Sequence, residues 1–222
     1  MARQYELIVF DWDGTLLDSA GAIAACIQAA ARDLGLTVPS DEAARHVIGL
    51  GLADALMRAM PEVDAALYPR VAERYRHHFL SQDQDLSLFP GAQALIRALH
   101  GEALLLGVAT GKSRLGLSRA LEHSGLGPFF HATRTADETF SKPHPAMLEE
   151  LMAELGVGPE ATLMIGDTTH DLQMANNAGV ASLAVSFGAH PKEMLLAERP
   201  LMCFDRFADM GEWLLKSVRG EG

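Results

Sequence analysis

Short apolar runs alternate with stretches of helical composition along most of this chain. The apolar runs, each of which predicts a strand, lie at residues 7–10, 103–109, 131–135, 162–165, 182–185 and 201–204. Helices are predicted between them, at residues 91–100, 113–123, 145–155, 171–178 and 210–218. Uninterrupted apolar runs bounded by turn residues are typical of strands that are buried on both faces of a parallel sheet. The pattern therefore predicts βαβ units, with helices on both faces of one parallel sheet.

Residues 18–85 break this alternation, because no strand pattern lies within them. An Ala-rich stretch at 20–34 favours helix, and the helical pattern continues at 40–60 and 64–80. Pro61 and the polar run at 80–85 mark interruptions. Several consecutive helices do not fit into a parallel sheet, so we predict an all-helical unit inserted after the first strand. Its linkers are expected near residues 16–19 and 81–89.

Composition and charge narrow the range of partners. The chain has 222 residues, of which 49% are hydrophobic and 21% charged, and this is ordinary globular composition. The formal net charge of -11 disfavours sequence-independent nucleic-acid binding, because it does not offset phosphate repulsion. A small anion can still bind, since the field inside one pocket need not follow the global sign.

The cysteines and the first residues allow a prediction of the cellular compartment of the protein. Cys26 and Cys203 are far apart in apolar surroundings, so we expect buried thiols in a reducing compartment rather than a disulfide. The first six residues lack the apolar core of a signal peptide. No apolar run approaches the ~20 residues that a membrane span needs. We therefore expect a soluble, cytoplasmic protein without a membrane partner.

Two acids, Asp11 and Asp13, directly follow the first predicted strand. The carboxyl ends of strands in an open α/β sheet form the ligand crevice, and Gly14 allows a sharp turn there. Two carboxylates this close repel each other unless a cation lies between them or one holds a proton. They could form a Mg²⁺ site or a nucleophile beside a proton carrier. As an alternative, they could be ordinary turn or N-cap residues.

A second polar motif, Thr110-Gly111-Lys112-Ser113, follows the strand predicted at 103–109. A hydroxyl and free backbone N–H groups at the start of a helix suit an anionic ligand. A plain helix cap is an equally good interpretation. The phosphate-binding loop of nucleoside triphosphatases needs four residues between its first glycine and Gly-Lys-Ser/Thr. Only three separate Gly107 from Gly111, so that loop is not favoured.

Lys142 lies in a turn that Pro143 and Pro145 make rigid. A lysine held in this way could provide a fixed positive charge before a helix. The common alternative for an isolated lysine is a solvated surface residue. His144, between the prolines, is expected to be a turn or surface residue rather than a ligand.

Gly166-Asp167 ends the strand predicted at 162–165, and Asp171 follows four residues later. That spacing is one helical turn, so both acids can face the same way. Mg²⁺ prefers hard oxygen ligands, and Asp167 together with Asp11 would supply them. By itself, Asp171 could be a carboxylate that the helix dipole favours near a helix N-terminus.

In their order along the chain, these motifs resemble those of the haloacid dehalogenase superfamily, in particular its phosphoglycolate phosphatase-like branch. That branch carries an Asp-Gly-Thr-Leu-hydrophobic-Asp-Ser run, which corresponds to residues 13–19; Trp12 stands where a smaller apolar residue is usual. The resemblance implies a three-layer, doubly wound (Rossmann-like) parallel-sheet core, residues 1–17 and 85–222, with an inserted helical type-1 cap, residues 18–84. The motifs that carry the resemblance are Asp11-Trp12-Asp13-Gly14-Thr15, Thr110-Gly111, Lys142-Pro143 and Gly166-Asp167 with Asp171.

The resemblance also implies a role for each motif residue. Asp11 would attack phosphorus and form an aspartyl-phosphate, and Asp13 would protonate the leaving oxygen and later deprotonate water. The phosphoryl oxygens would be held by Thr110, Gly111 and Lys142. Mg²⁺ would be held by Asp11, the main-chain carbonyl of Asp13, Asp167 and, directly or through water, Asp171.

These roles predict a Mg²⁺-dependent phosphatase that acts on a small phosphorylated metabolite, with 2-phosphoglycolate as the first substrate to consider. The protein is expected to be a monomer or homodimer. Dehalogenating relatives lack an acid at the position of Asp13, because a halide leaves without a proton, so dehalogenation is disfavoured. A sugar phosphomutase and a non-catalytic binding or regulatory member remain as alternatives.

The predicted cap offers candidate substrate contacts at Arg45, His46 and Gly49. Gly49 and Gly51 permit close backbone approach, although a turn between helices explains them more simply. A basic cluster is also present on a later helix, where a solvated face is favoured over a substrate pocket and a shared metal is disfavoured. Its members are Arg74, Arg76, His77 and His78.

Overall fold

Six parallel strands form one sheet at the centre of the protein, as seen in a computed structural model that describes residues 5–220. The order across the sheet is β3-β2-β1-β4-β5-β6. The parallel α/β fold predicted from the apolar runs is therefore confirmed. The strands are β1 (Leu7–Phe10), β2 (Leu105–Thr110), β3 (Ala132–Thr135), β4 (Thr162–Gly166), β5 (Ala181–Val185) and β6 (Met202–Phe204).

Strand β1 lies between β2 and β4, and Phe10 at its end is opposite Val108 and Ile165. The chain builds the sheet outward from β1 in one direction with β2 and β3, and then in the other with β4 to β6. The reversal places a topological switch point beside β1, and ligands of open α/β sheets bind outside the carboxyl ends of strands at such a point.

Helices cover both faces of the sheet, which gives the predicted three layers. Alternate residues of β1 point to opposite faces: Ile8 and Phe10 belong to one apolar cluster, and Leu7 and Val9 to another. The first cluster includes residues of α5, α6 and α10, and the second includes residues of α7 and α8. The helices are α5 (Ala92–Gly101), α6 (Arg114–Ser124), α7 (Ala146–Leu155), α8 (Thr169–Asn177), α9 (Lys192–Ala197) and α10 (Phe207–Arg219).

A few predicted boundaries differ from the observed ones. Strand β2 begins at Leu105 rather than 103, because Ala103 has a φ of 54° and closes a left-handed turn after α5. Helix α8 begins at Thr169, two residues before the predicted start at 171, because Thr168 caps it. Helix α9 has six residues and was not predicted, because so short a segment shows no clear period.

The stretch between β1 and α5 folds into four helices around an apolar cluster of its own. No strand occurs between residues 18 and 85, as predicted, and every one of these residues is described. The helical stretch predicted at 40–60 is divided in two by the turn at 47–51, where Gly49 has a φ of 93°. The helices are α1 (Ala20–Asp33), α2 (Asp41–His46), α3 (Leu52–Ala59) and α4 (Tyr68–Leu80).

The two segments that connect this helical insert to the sheet lie side by side. The main-chain N–H of Asp18 donates to the carbonyl of Ser87 (3.0 Å), and that of Phe89 donates to the carbonyl of Leu16 (2.9 Å). Adjacent connections of this kind are what an insertion into a pre-existing sheet requires. The exact domain limits predicted above remain a prediction.

The two cysteines are free, which agrees with the expected absence of a disulfide. Cys26 is buried as predicted, whereas Cys203, on the outer strand β6, is only half-buried. None of the helices in residues 5–220 combines the length and apolar character required to cross a bilayer.

Candidate active site

Three carboxylates meet at the carboxyl edge of the sheet: Asp11, Asp167 and Asp171. Each is fully buried, and each offers one oxygen within 4.8 Å of the others. Asp11 follows β1, Asp167 follows β4, and Asp171 lies in the first turn of α8. Because β1 and β4 are hydrogen-bonded neighbours, the fold brings together acids that are more than 150 positions apart in the chain.

Lys142 provides the positive charge at this cluster. Its ammonium lies 2.7 Å from Oδ1 of Asp11 and 2.6 Å from Oδ1 of Asp171, and its side chain is fully buried. The interpretation of Lys142 as a solvated surface residue is therefore wrong. One ammonium leaves three neighbouring carboxylates short of positive charge, and Oδ2 of Asp11 has no hydrogen-bond partner within residues 5–220.

The charges at the cluster are strongly perturbed. Burial raises the pKa of Asp11 to about 7, although Lys142 opposes the change; the charge of Asp171 adds to it. Burial also raises the pKa of Asp167 well above its ordinary value, with Asp11 and Asp171 adding repulsion. Burial by itself would lower the pKa of Lys142, but the negative charges of Asp11 and Asp171 outweigh this effect and raise the pKa. The ammonium therefore stays charged, while the carboxyl groups compete for protons.

A divalent cation fits these residues, because buried carboxylates in excess of positive charge are the ligands that Mg²⁺ prefers. Other side chains orient them. Thr15 donates its hydroxyl to Oδ1 of Asp167 (3.0 Å), and the main-chain N–H of Ala189 donates to Oδ2 (2.7 Å). Thr168 donates to Oδ2 of Asp171 from its main-chain N–H (3.1 Å) and its hydroxyl (2.6 Å). Partners of this kind fix ligand orientation in metal sites.

In EDTA, we expect the contribution of Asp11 to the free energy of unfolding to fall as pH rises from about 4 to about 7. Asp11 has an ordinary pKa of 3.8 and a folded-state pKa of about 7. The folded protein therefore holds a proton that the unfolded chain has released, and this stabilising contribution is lost as pH rises through the folded-state value. Thermal melting across this window measures the slope. His170 and His190, whose pKa values burial lowers, act in the opposite sense in this window, so the wild type is compared with Asp11→Asn. The stability of wild type relative to Asp11→Asn should fall as pH rises, and a difference that stays constant or rises would contradict the assignment.

Asp13 lies beside the cluster but outside it. Its Oδ1 accepts a hydrogen bond from the hydroxyl of Ser19 (2.7 Å) and lies 3.1 Å from the ammonium of Lys112. The same ammonium is 4.6 Å from the centre of the Phe79 ring, on α4 of the insert. Sequence reasoning missed this link, because it treated Lys112 only as part of a mismatched nucleoside-triphosphatase loop.

Thr110 and Gly111, predicted to bind phosphate, end β2 beside the cluster. The Thr110 side chain is buried, and its hydroxyl accepts a hydrogen bond from the main-chain N–H of Lys112 (3.2 Å). The insert packs directly on this turn. A Cβ built on Gly111 would lie 2.4 Å from the carbonyl oxygen of Leu50 and 2.6 Å from that of Gly49.

A cavity of about 610 Å³ separates the sheet edge from the insert. Asp11, Asp13, Thr110 and Gly111 line its inner end, and the insert lines most of the rest. Residues of α6 and of the turn before it, with Ala136, Asp137 and Ser141, complete the lining. The predicted site residues of the sheet edge thus gather around or directly beneath one cavity.

Of the three cap residues predicted to contact substrate, only Gly49 lines this cavity. The guanidinium of Arg45 instead pairs with Asp41 (2.8 Å), one turn earlier on α2. The ring of His46 stacks on His190, and its carbonyl accepts hydrogen bonds from the Nε2 atoms of His170 (2.8 Å) and His190 (3.1 Å). These side chains connect the insert internally or to the sheet domain.

The residues of the basic cluster on α4 lie in two different environments. Arg74 and His78 pair with Asp33 on α1 at the surface, as a solvated face predicts. Arg76, which is exposed, lines the cavity.

Comparison with known proteins identifies the family. Residues 8–185 match the family model described as haloacid dehalogenase-like hydrolase. The chain belongs to the haloacid dehalogenase-like hydrolase family. The family expected from the four motifs is therefore confirmed, and with it the expectation of a hydrolytic enzyme.

Relatives of this haloacid dehalogenase-like hydrolase match over nearly their whole length. A probable phosphatase, IndB, from Dickeya dadantii is 36% identical over 92% of this chain and 91% of its own length. A phosphoglycolate phosphatase from Rhodospirillum rubrum is 33% identical over 93% of this chain and 90% of its own length. The crystal structure of a predicted phosphoglycolate phosphatase from Haemophilus somnus superimposes with a TM-score of 0.85 at 26% identity, covering 96% of this chain and 100% of that one.

Proposed function

We propose that this hydrolase is a Mg²⁺-dependent phosphatase that hydrolyses a small phosphomonoester through an aspartyl-phosphate on Asp11. The observation that carries the proposal is the buried cluster of Asp11, Asp167 and Asp171 around Lys142, with one oxygen of Asp11 unpartnered at the end of a cavity. The relatives named as phosphatases support the same enzyme class. Phosphoryl transfer depends above all on positioning and charge neutralisation, and this cluster provides both.

Asp11 is suited to act as the nucleophile. Its Oδ1 is bound to Lys142, which holds the carboxylate in one orientation, whereas Oδ2 has no partner in the described part of the chain. Mg²⁺ held by Asp11, Asp167 and Asp171 would reduce the repulsion between the carboxylate and an anionic phosphate. Lys142 contributes positive charge at the same point, so Asp11 can be ionised when the substrate arrives.

Asp13 is suited to carry the proton. It lies two residues from the nucleophile and lines the same cavity, and Ser19 and Lys112 both hold its Oδ1. Its carboxyl can protonate the departing alcohol oxygen and then take a proton from the water that hydrolyses the aspartyl-phosphate. We assign the contacts with the phosphoryl oxygens to Thr110 and Gly111, which line the same end of the cavity.

The helical insert, residues 18–84 in our domain division, acts as the cap over this site. The main-chain N–H of Gly51 donates to the hydroxyl of Ser141 (2.8 Å), beside Lys142. The carbonyls of Gly49 and Leu50 rest on Gly111. A cap seated in this way excludes water from the transferring phosphoryl group.

We expect Gly111→Ala to lower kcat/KM by at least about tenfold, because the added Cβ would push the cap turn away from the site and small misplacements are costly in catalysis. Steady-state phosphate release measures the effect. Gly101→Ala is the matched control, since no atom lies within 4 Å of a Cβ built there. Equal activity of the two variants would contradict the proposed contact.

The proposal as a whole is tested by phosphate release from p-nitrophenyl phosphate and 2-phosphoglycolate. Activity should be lost in EDTA and restored by Mg²⁺, and Asp167→Asn should raise the Mg²⁺ concentration needed. Activity that persists in EDTA would contradict it. No observation favours the phosphomutase or the non-catalytic alternative, so neither is proposed.

A further inference from the structure

The outer part of the cavity, which the insert lines, is mostly apolar, and Asp54 and Arg76 are its charged members. Side chains from α1, the turn at 47–51 and α4 form this wall. They include Ile23, Ile27, Val47, Ile48, Tyr75 and Phe79. Burying a charged group against such a surface is costly unless a partner is present.

Three cationic residues line the cavity, and none of them is both buried and unpaired. Lys112 is already paired with Asp13, and Arg76 and Arg119 are exposed. The leaving group of 2-phosphoglycolate is two carbons long and ends in a carboxylate. Among the described residues that line the cavity, only the exposed Arg76 and Arg119 would remain to pair with that carboxylate, and exposed pairs contribute little.

The size of the cavity also favours a larger leaving group. Its volume of about 610 Å³ is within the range of roughly 300–1,000 Å³ that is typical of sites for drug-sized ligands. A phosphoryl group with two carbons would leave most of that space to water in contact with apolar walls.

Two aromatic rings define the shape of the wall. Tyr75 and Phe79 are one turn apart on α4, with ring centres 5.9 Å apart and planes at 16°. Aromatic surfaces pack well against flat rings. Since Lys112 contacts both the Phe79 ring and Asp13, an ester oxygen near Asp13 would place its organic part beside these rings.

The hydroxyl of Tyr75 has no hydrogen-bond partner among residues 5–220, although the side chain lines the cavity. Burial raises the pKa of Tyr75 well above its ordinary value, and the charges of Asp13 and Cys26 add to the shift. The phenol therefore remains a proton donor. Tyr75 is half-buried, and its phenol can donate a hydrogen bond to a ligand in the cavity that carries an acceptor.

We infer that the phosphomonoester hydrolysed here has a flat, mainly apolar ring, aromatic or of similar shape, that carries a hydrogen-bond acceptor, and that Tyr75 and Phe79 select it. This inference rests on the proposed phosphatase function. It assigns the charged inner end of the cavity to the phosphoryl group and the apolar outer part to the ring.

The test compares kcat/KM for phenyl phosphate, 4-nitrophenyl phosphate and 2-phosphoglycolate. The ring esters should be preferred by wild type, and Phe79→Ala should reduce that preference by at least about tenfold, the usual effect of one hydrophobic contact in a specificity pocket. Tyr75→Phe should lower the ratio of 4-nitrophenyl to phenyl phosphate about threefold to tenfold, as loss of one hydrogen bond predicts. Comparing this ratio between variants removes the difference in intrinsic reactivity.

Tyr68→Phe is the matched control, because its hydroxyl, also on α4, donates to the carbonyl of Met60 rather than facing the cavity. It should leave both ratios unchanged. Preference for 2-phosphoglycolate in wild type, or unchanged ratios in Phe79→Ala and Tyr75→Phe, would overturn the inference.

Calorimetric binding to the Mg²⁺-loaded Asp11→Asn variant separates the inference from the proposed function. Tighter binding of phenyl phosphate than of 2-phosphoglycolate supports the inference, and equal or weaker binding overturns it. If wild type releases phosphate from no ester while the ring preference in binding persists, the proposed function alone fails.

Discussion

Replacing Asp11 with Asn is expected to reduce phosphate release by about 10⁴-fold or more, which is the scale seen when a nucleophile is removed. The amide keeps the shape of the side chain but cannot form the acyl-phosphate. The fold should survive, because the change removes one of three mutually repelling buried carboxylates and leaves Lys142 with Asp171, 2.6 Å away.

The measurement is steady-state phosphate release, with circular dichroism and thermal melting as the check on folding. Asp18→Asn is the matched control: Asp18 belongs to the same segment after β1, but it is exposed, and its variant should retain wild-type activity. A well-folded Asp11→Asn protein that turns over p-nitrophenyl phosphate at the wild-type rate would exclude Asp11 as the nucleophile.

Replacing Lys142 with Met is expected to destabilise the metal-free protein by about 3–5 kcal/mol near neutral pH, the usual cost of removing one partner of a buried ion pair. Asp11 and Asp171 would lose the ammonium that lies within 2.7 Å of each. Their other charged neighbours, Asp167 and, for Asp11, Asp13, are acids that repel them. The loss should shrink at lower pH, since the carboxyl groups can then take up protons. Added Mg²⁺ should restore part of it.

Denaturant unfolding in EDTA and in Mg²⁺ measures these effects. Lys192→Met is the control. The ammonium of Lys192 lies 2.6 Å from Oδ2 of Asp205 at the surface, and the Lys192 side chain is 40% exposed. Exposed pairs of this kind contribute little to stability, because water screens their charges. If the two variants were equally stable in EDTA, the ion-pair role assigned to Lys142 would be wrong.

The sheet and its acidic cluster could be predicted because both depend on local patterns that the topology then brings together. Each apolar run marks a buried strand, and parallel strands end at the same edge of the sheet. Placing Asp11 after one strand and Asp167 after its neighbour therefore predicts a shared cavity without any knowledge of side-chain packing. Lys142 differs, because nothing in the sequence of the turn at 142–145 shows that its side chain lies in the site rather than at the protein surface.

Contacts between the insert and the sheet could not be predicted, because helix periodicity gives the buried face of a helix but not the angle at which it packs. Arg45 was a plausible substrate contact by charge, yet it pairs along its own helix with Asp41. Tyr75 carried no signal in the sequence, since an aromatic residue on an amphipathic helix usually marks the core. The contact of Lys112 with Phe79 needs both units in place.

A crystal structure with Mg²⁺ and beryllofluoride, which mimics a phosphoryl group on a carboxylate, tests the proposed mechanism most directly. We expect beryllofluoride on Asp11, Mg²⁺ held by Asp11 and Asp167 with Asp171 close by, and Lys142 beside the fluorides. A structure in which these carboxylates bind neither group, or in which both groups bind elsewhere on the protein, would contradict it.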